Sequence, residues 1–191
     1  MTTFALDDLT FTPFDMTAYQ TYRSWFIDPE LRRRISEPDD VWFAAISTMP
    51  ATSAWLVYEG ETAIGQLQMD TEQHSASIAY VVNPEMRGKG YGKRLLRFFL
   101  ARPETQRIPL IEAFVELDNS ASIHVLRSVG FIQQGEEPDE DGCLRFVYIN
   151  EKPTTFWEDR GVHNKDQSVN APILPPTHEE VALSLESDAE K

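Results

Sequence analysis

Three glycines and three bases fall within seven residues of this chain, Arg87-Gly88-Lys89-Gly90-Tyr91-Gly92-Lys93. Glycines remove side chains where a backbone must approach a ligand closely. A helical pattern begins at Gly90, so unpaired backbone N–H groups and about half a unit of positive charge gather at its start. Arg87, Lys89 and Lys93 add cations. The combination suits a diphosphate. The glycine spacing excludes two common phosphate binders. A dinucleotide fold needs G-x-G-x-x-G, whereas Gly88, Gly90 and Gly92 give G-x-G-x-G. A P-loop needs a serine or threonine after its lysine, and Lys93 is followed by Arg94.

A second constellation follows at Asn119-Ser120-Ala121-Ser122-Ile123-His124-Val125-Leu126-Arg127-Ser128-Val129-Gly130-Phe131. It reads as a helix with Asn119 at its N-cap and Gly130 as its terminator.

These two segments must be positioned by a scaffold. Thr10–Phe14 reads as a strand. Apolar residues recur at helical spacing from Thr17 to Ser36, interrupted at Asp28-Pro29, where Asp28 caps a second helix. Val41–Ser47 is a further short segment. Thr52–Tyr58 and Thr62–Met69 flank a turn at Glu59-Gly60-Glu61 and form a hairpin, with Ser75–Val82 as the next strand. Gly90–Arg102 is an amphipathic helix stopped by Pro103. Ile108–Val115 is a strand, Asn119–Val129 a helix, and Phe131–Gln134 and Cys143–Asn150 are the last strands. This order predicts an α/β mixed sheet with helices on its faces and at least one parallel pair. The domain is expected over 1–152. Residues 153–191, with prolines at 153, 172, 175 and 176, read as a proline-rich acidic tail, docked or helical in part.

Composition narrows the partners. The 191 residues carry a formal charge of −14, which disfavours nucleic acid and suits a cationic substrate. The single Cys143 supplies no disulfide, and the four histidines show no metal-ligand spacing, so no metal is expected. Acids near the N-terminus and the lack of an 18-residue apolar run predict a cytoplasmic protein with no membrane partner.

Arg87-Gly88-Lys89-Gly90-Tyr91-Gly92 matches [QR]-x-x-G-x-[GA], the acetyl-CoA signature of the GNAT acetyltransferase superfamily. The Asn119–Phe131 segment resembles that superfamily's later motif, N-x-x-[SA]-x-x-[VL]-x-x-x-x-G-F. The resemblance covers residues 8–150 and is similar in flavour to the ribosomal-protein and aminoglycoside N-acetyltransferase branch. It implies a mostly antiparallel sheet of six to seven strands with a central, splayed parallel pair. It further implies acetyl-CoA as cosubstrate, held by Arg87, Gly88, Lys89, Gly90, Gly92, Lys93 and Asn119. A backbone donor to the thioester carbonyl would come from Val81 or Val82. The acceptor would be a primary amine, as a small cationic molecule or a protein or peptide N-terminus, attacking directly in a ternary complex. A homodimer is compatible with the resemblance.

Two family features are missing. Ser77 stands where many members carry a glutamate base, and Leu126 where many carry a tyrosine acid. The remaining titratable candidates are Tyr80, Glu112, Glu116, Asp70 and His74, with Tyr80 and Glu112 taken as the catalytic pair. The alternative reading is a non-catalytic acetyl-CoA-binding or interaction module that kept the fold.

Overall fold

A computed structural model describes residues 9–150. Seven strands form one sheet in the order β1-β2-β3-β4-β5-β7-β6. They are β1 (Thr10–Pro13), β2 (Thr52–Glu59), β3 (Thr62–Glu72), β4 (Ser75–Val82), β5 (Leu110–Glu116), β6 (Ile132–Gln134) and β7 (Cys143–Ile149). Five α-helices accompany them: α1 (Met16–Ser24), α2 (Pro29–Arg34), α3 (Asp40–Thr48), α4 (Tyr91–Leu100) and α5 (Ser120–Ser128). The expected tail, with its docking residues and terminal helix, lies outside the described residues.

Four of these helices, α1, α2, α3 and α5, begin where the sequence supplies a side-chain cap. Asp15 accepts from the Ala18 amide, Asp28 from Leu31, Asp39 from Trp42, and Asn119 from Ser122. These contacts satisfy amides that no helical carbonyl can reach. Pro29 takes the first helical position of α2. Gly130, at φ 99°, ends α5.

Helices cover both faces of the sheet. On one face, Leu95, Leu96 and Phe99 of α4 and Leu126 of α5 pack on Leu67, Ile78, Ile111 and Phe146. Burying side chains of this size contributes about 1.5–3 kcal/mol each. On the other face, Ala18 and Tyr22 of α1, Phe26 of the 3-10 turn Trp25–Ile27 and Leu31 of α2 meet Leu56 and Val81. Gly65 is what lets α4 lie so close to β3. A Cβ there would stand 2.5 Å from Leu95 Cδ1 and 2.8 Å from the Val81 carbonyl oxygen.

Every strand pairing is antiparallel except β4 with β5. That parallel ladder is short: Ser75↔Leu110, Ala76↔Ile111 and Ser77↔Glu112. Beyond Ser77 and Glu112 the strands part, while β3 stays on β4 to Val82 and β7 stays on β5 to Glu116. The sheet therefore opens into a wedge at its centre.

Candidate active site

The wedge exposes backbone groups that a flat sheet would hide. The Asn83 amide donates to the Ile64 carbonyl at 2.9 Å, one step beyond the Gly65↔Val82 register. Hydrogen-bonded and non-hydrogen-bonded pairs alternate in an antiparallel ladder. Val81 therefore directs its N–H at β3, and the N–H groups of Tyr80 and Val82 face the gap. The Val81 side chain is buried among α1 and α2. Of the two valines expected as carbonyl donors, Val82 has the amide on the open side.

A cavity of about 500 Å³ occupies this region. One wall is Tyr80, Val81 and Val82 of β4. Gly88, Gly90, Gly92 and Lys93 form its base with Arg87. Asn119, Ser122, His124 and Val125 form the α5 side, and Glu30, Leu31, Arg34 and Ile35 come from α2 and its C-cap. Residues from both faces of the sheet thus meet in one space through the gap.

The cradle has the geometry its glycines require. Gly88 and Gly90 sit at φ 73° and 83°, in the left-handed region, and a Cβ on either would point into open space. Gly90 caps α4 with no side chain, leaving the first-turn amides unpaired within the helix. Gly92 differs: its Cβ would press on Val125 Cγ2 at 3.3 Å and Val82 Cγ2 at 3.4 Å. It sets the approach of α4 to α5 and β4. Lys89 turns away, its ammonium donating to the Glu85 carbonyl at 2.9 Å, and it is not part of the cavity wall.

The two catalytic candidates part company. The Tyr80 hydroxyl meets Ser122 Oγ at 2.8 Å inside the cavity. Burial pushes the phenol up to about 12, with the Ser122 hydrogen bond pulling the other way. It is a neutral donor across the physiological range. Glu112 stands at the apex of the wedge but outside the cavity lining, with Oε1 accepting from Arg145 Nε at 2.6 Å. Leu126, at the position of the family's usual acid, is fully buried in the core.

Helix α2 spans the open end of the wedge and is tied to both sides. At its start, Asp28 Oδ1 accepts from the Leu31 amide at 2.7 Å and from Arg87 Nη1 at 2.8 Å. Burial raises the Asp28 carboxyl, but those two donors outweigh it and hold the group below its ordinary value. At its end, Arg34 pairs with Glu30, with Glu116 at the end of β5, and with Asp118 beyond it. Only 13% of the Arg34 side chain is exposed. Hydrogen bonds from Arg33 and Arg34 hold Glu30 at about 2. The sequence reading identified neither Arg34 nor His124 as part of the site. Among the described residues, no cluster of three or more His, Cys, Asp or Glu is placed to hold a metal ion. No described helix is long and apolar enough to cross a membrane.

A strand that splays from its parallel neighbour beside a glycine-rich helix start defines a coenzyme-cradling acyltransferase fold. The profile of the Acetyltransferase (GNAT) family matches residues 17–131. The uncharacterized N-acetyltransferase YfmK of Bacillus subtilis is 30% identical over 128 residues, covering 66% of this chain and 86% of that protein. Spermidine N-acetyltransferase of Vibrio cholerae, solved with CoA and spermine, superposes with a TM-score of 0.67 at 16% identity, over 78% of this chain and 99% of that one. An aminoglycoside N(6')acetyltransferase of Legionella pneumophila gives 0.62 at 13% identity, over 76% and 94%. The chain belongs to the GNAT acetyltransferase family and is an N-acetyltransferase.

Proposed function

We propose that this protein transfers an acetyl group from acetyl-CoA to a primary, cationic amine by direct attack in a ternary complex. The observation that carries the reading is the end of the β4–β5 ladder at Ser77 and Glu112, with the cavity beyond it. In this reading the coenzyme's diphosphate lies on the 87–93 loop and its pantetheine arm in the wedge, near Asn119.

The amine nitrogen attacks the thioester carbonyl carbon, and the carbonyl oxygen takes the negative charge. The Val82 N–H, free of a strand partner on that side, donates a hydrogen bond to that oxyanion. Collapse breaks the carbon–sulfur bond and expels the CoA thiolate. Tyr80 donates a hydrogen bond toward the thiolate and keeps its proton, since its phenol is a far weaker acid than a thiol near 8.5. Water carries the proton away from the new amide nitrogen.

The acceptor's charge is read from the mouth of the wedge. Glu116 and Asp118 stand there already paired with Arg34, and Cys143, opposite Glu116, ends the 135–142 connection, whose acids supply the charge. The Leu117 amide reaches the Gly142 carbonyl at 3.4 Å. In this reading the acidic run Glu136-Glu137-Pro138-Asp139-Glu140-Asp141 borders the acceptor side. The spermine in the Vibrio cholerae neighbour supports a polyamine-like acceptor. Residues 1–152 are proposed as the catalytic unit.

Initial rates measured over both substrates test the ternary complex. Intersecting double-reciprocal lines are expected. Parallel lines would mean an acetylated enzyme intermediate and overturn direct attack.

A further inference from the structure

Arg87 belongs to the cradle expected to receive the diphosphate, yet its guanidinium is engaged by Asp28 of α2. Both side chains are only partly exposed, 37% for Arg87 and 23% for Asp28. Asp28 does two jobs with one oxygen, capping α2 and holding Arg87. The far end of α2 is fixed independently through Arg34 to Glu116 and Asp118.

We propose that Asp28 is a positioning residue that parks Arg87 at the lip of the cavity and yields it to the coenzyme's diphosphate. The inference rests on the coenzyme placement proposed above. Arg87 cannot serve both anions with the same face of its guanidinium, so a bound diphosphate competes with the Asp28 carboxylate. The carboxylate keeps the guanidinium from collapsing elsewhere, and costs some coenzyme affinity in return. The exchange also frees one attachment of α2, whose Leu31 and Arg34 line the same cavity. Coenzyme loading is thereby communicated to the wall opposite β4.

The test is calorimetric titration of the whole chain with CoA. Asp28→Asn keeps an oxygen for the Leu31 amide but removes the charge that binds Arg87. CoA should bind this variant roughly two- to fivefold more tightly, the range expected for releasing one partly exposed ion pair. Glu85→Gln removes an equal charge two residues before Arg87 and should change the affinity less than twofold. A purely structural cap would leave the affinity of Asp28→Asn unchanged, since Asn still accepts from the Leu31 amide. Unchanged or weaker CoA affinity in Asp28→Asn, or equal tightening in Glu85→Gln, would overturn the proposal. Thermal unfolding establishes that each variant is folded. If the wild-type chain itself fails to bind CoA, the coenzyme placement fails instead, and the two failures are distinct.

Discussion

Ser77 of β4 lies opposite Glu112 of β5, and this is the last pair the two strands share before they separate. The wedge beyond it is kept open from both sides. β3 holds β4 to Val82, β7 holds β5 to Glu116, and α2 bridges the mouth by ion pairs at each end.

Gly90 should be the most discriminating residue of the cradle. A Cβ there meets no protein atom within 4 Å, but valine must adopt a left-handed backbone, at about 1–2 kcal/mol. The protein should stay folded. Its acetyl-CoA affinity should fall by about tenfold or more, equivalent to at least about 1.4 kcal/mol. Calorimetry beside thermal unfolding checks both halves.

Tyr80→Phe removes the donor toward the leaving sulfur. The kcat should drop about tenfold or more, matching the loss of a charge-assisted hydrogen bond of about 1.5–3 kcal/mol. The KM for acetyl-CoA should move little. Ser122→Ala frees the hydroxyl without removing it, so its effect on kcat should be smaller. An unchanged kcat in Tyr80→Phe would assign the tyrosine to packing.

Glu112 should act through Arg145 on the sheet rather than on the acceptor. Glu112→Gln and Arg145→Met should each destabilise the fold, with a coupling of about 1 kcal/mol in a double-mutant cycle. The kcat of Glu112→Gln should remain within about threefold of wild type, against the loss of about a hundredfold or more typical of a removed general base.

The pH dependence follows from the acceptor itself. A primary amine near 10.4 is mostly protonated at neutral pH, and only the neutral form attacks. Without a dedicated base, kcat/KM should rise about tenfold per pH unit from roughly pH 6 to 9. Tyr80, at about 12, stays protonated across that window. A plateau beginning near neutrality would reveal a base with a matching pKa.

Much of the candidate site was legible because its information is local. The glycine run expected to carry no side chains toward a ligand does form an open loop, in which Gly88 and Gly90 take left-handed backbones, and Asn119 does cap α5. The element order also held, with small differences at the ends. β5 starts at Leu110 rather than Ile108, since Pro109 has no N–H for the ladder and its carbonyl accepts from Asn150. The strand order was not legible. β7 lies between β5 and β6 through pairings that local pattern does not encode. Arg34 was invisible for the same reason: its carboxylate partners Glu116 and Asp118 lie 82 and 84 residues away. Nor does the alternation along Ser75–Val82 tell which amides of β4 lose a partner. That depends on where β5 leaves it.

The most direct measurement is release of CoA thiol with acetyl-CoA and a panel of amines of similar basicity but different charge, at low and physiological salt. Turnover should require the amine and favour polyamines over neutral or anionic amines. Neutralising the five acids of 136–141 to Asn and Gln should raise the polyamine KM, most at low salt, where screening is weakest. Acetyl-CoA affinity should be nearly unchanged. Preference for a neutral or anionic amine, or a polyamine KM indifferent to these acids at low salt, would contradict a cationic acceptor drawn to this mouth.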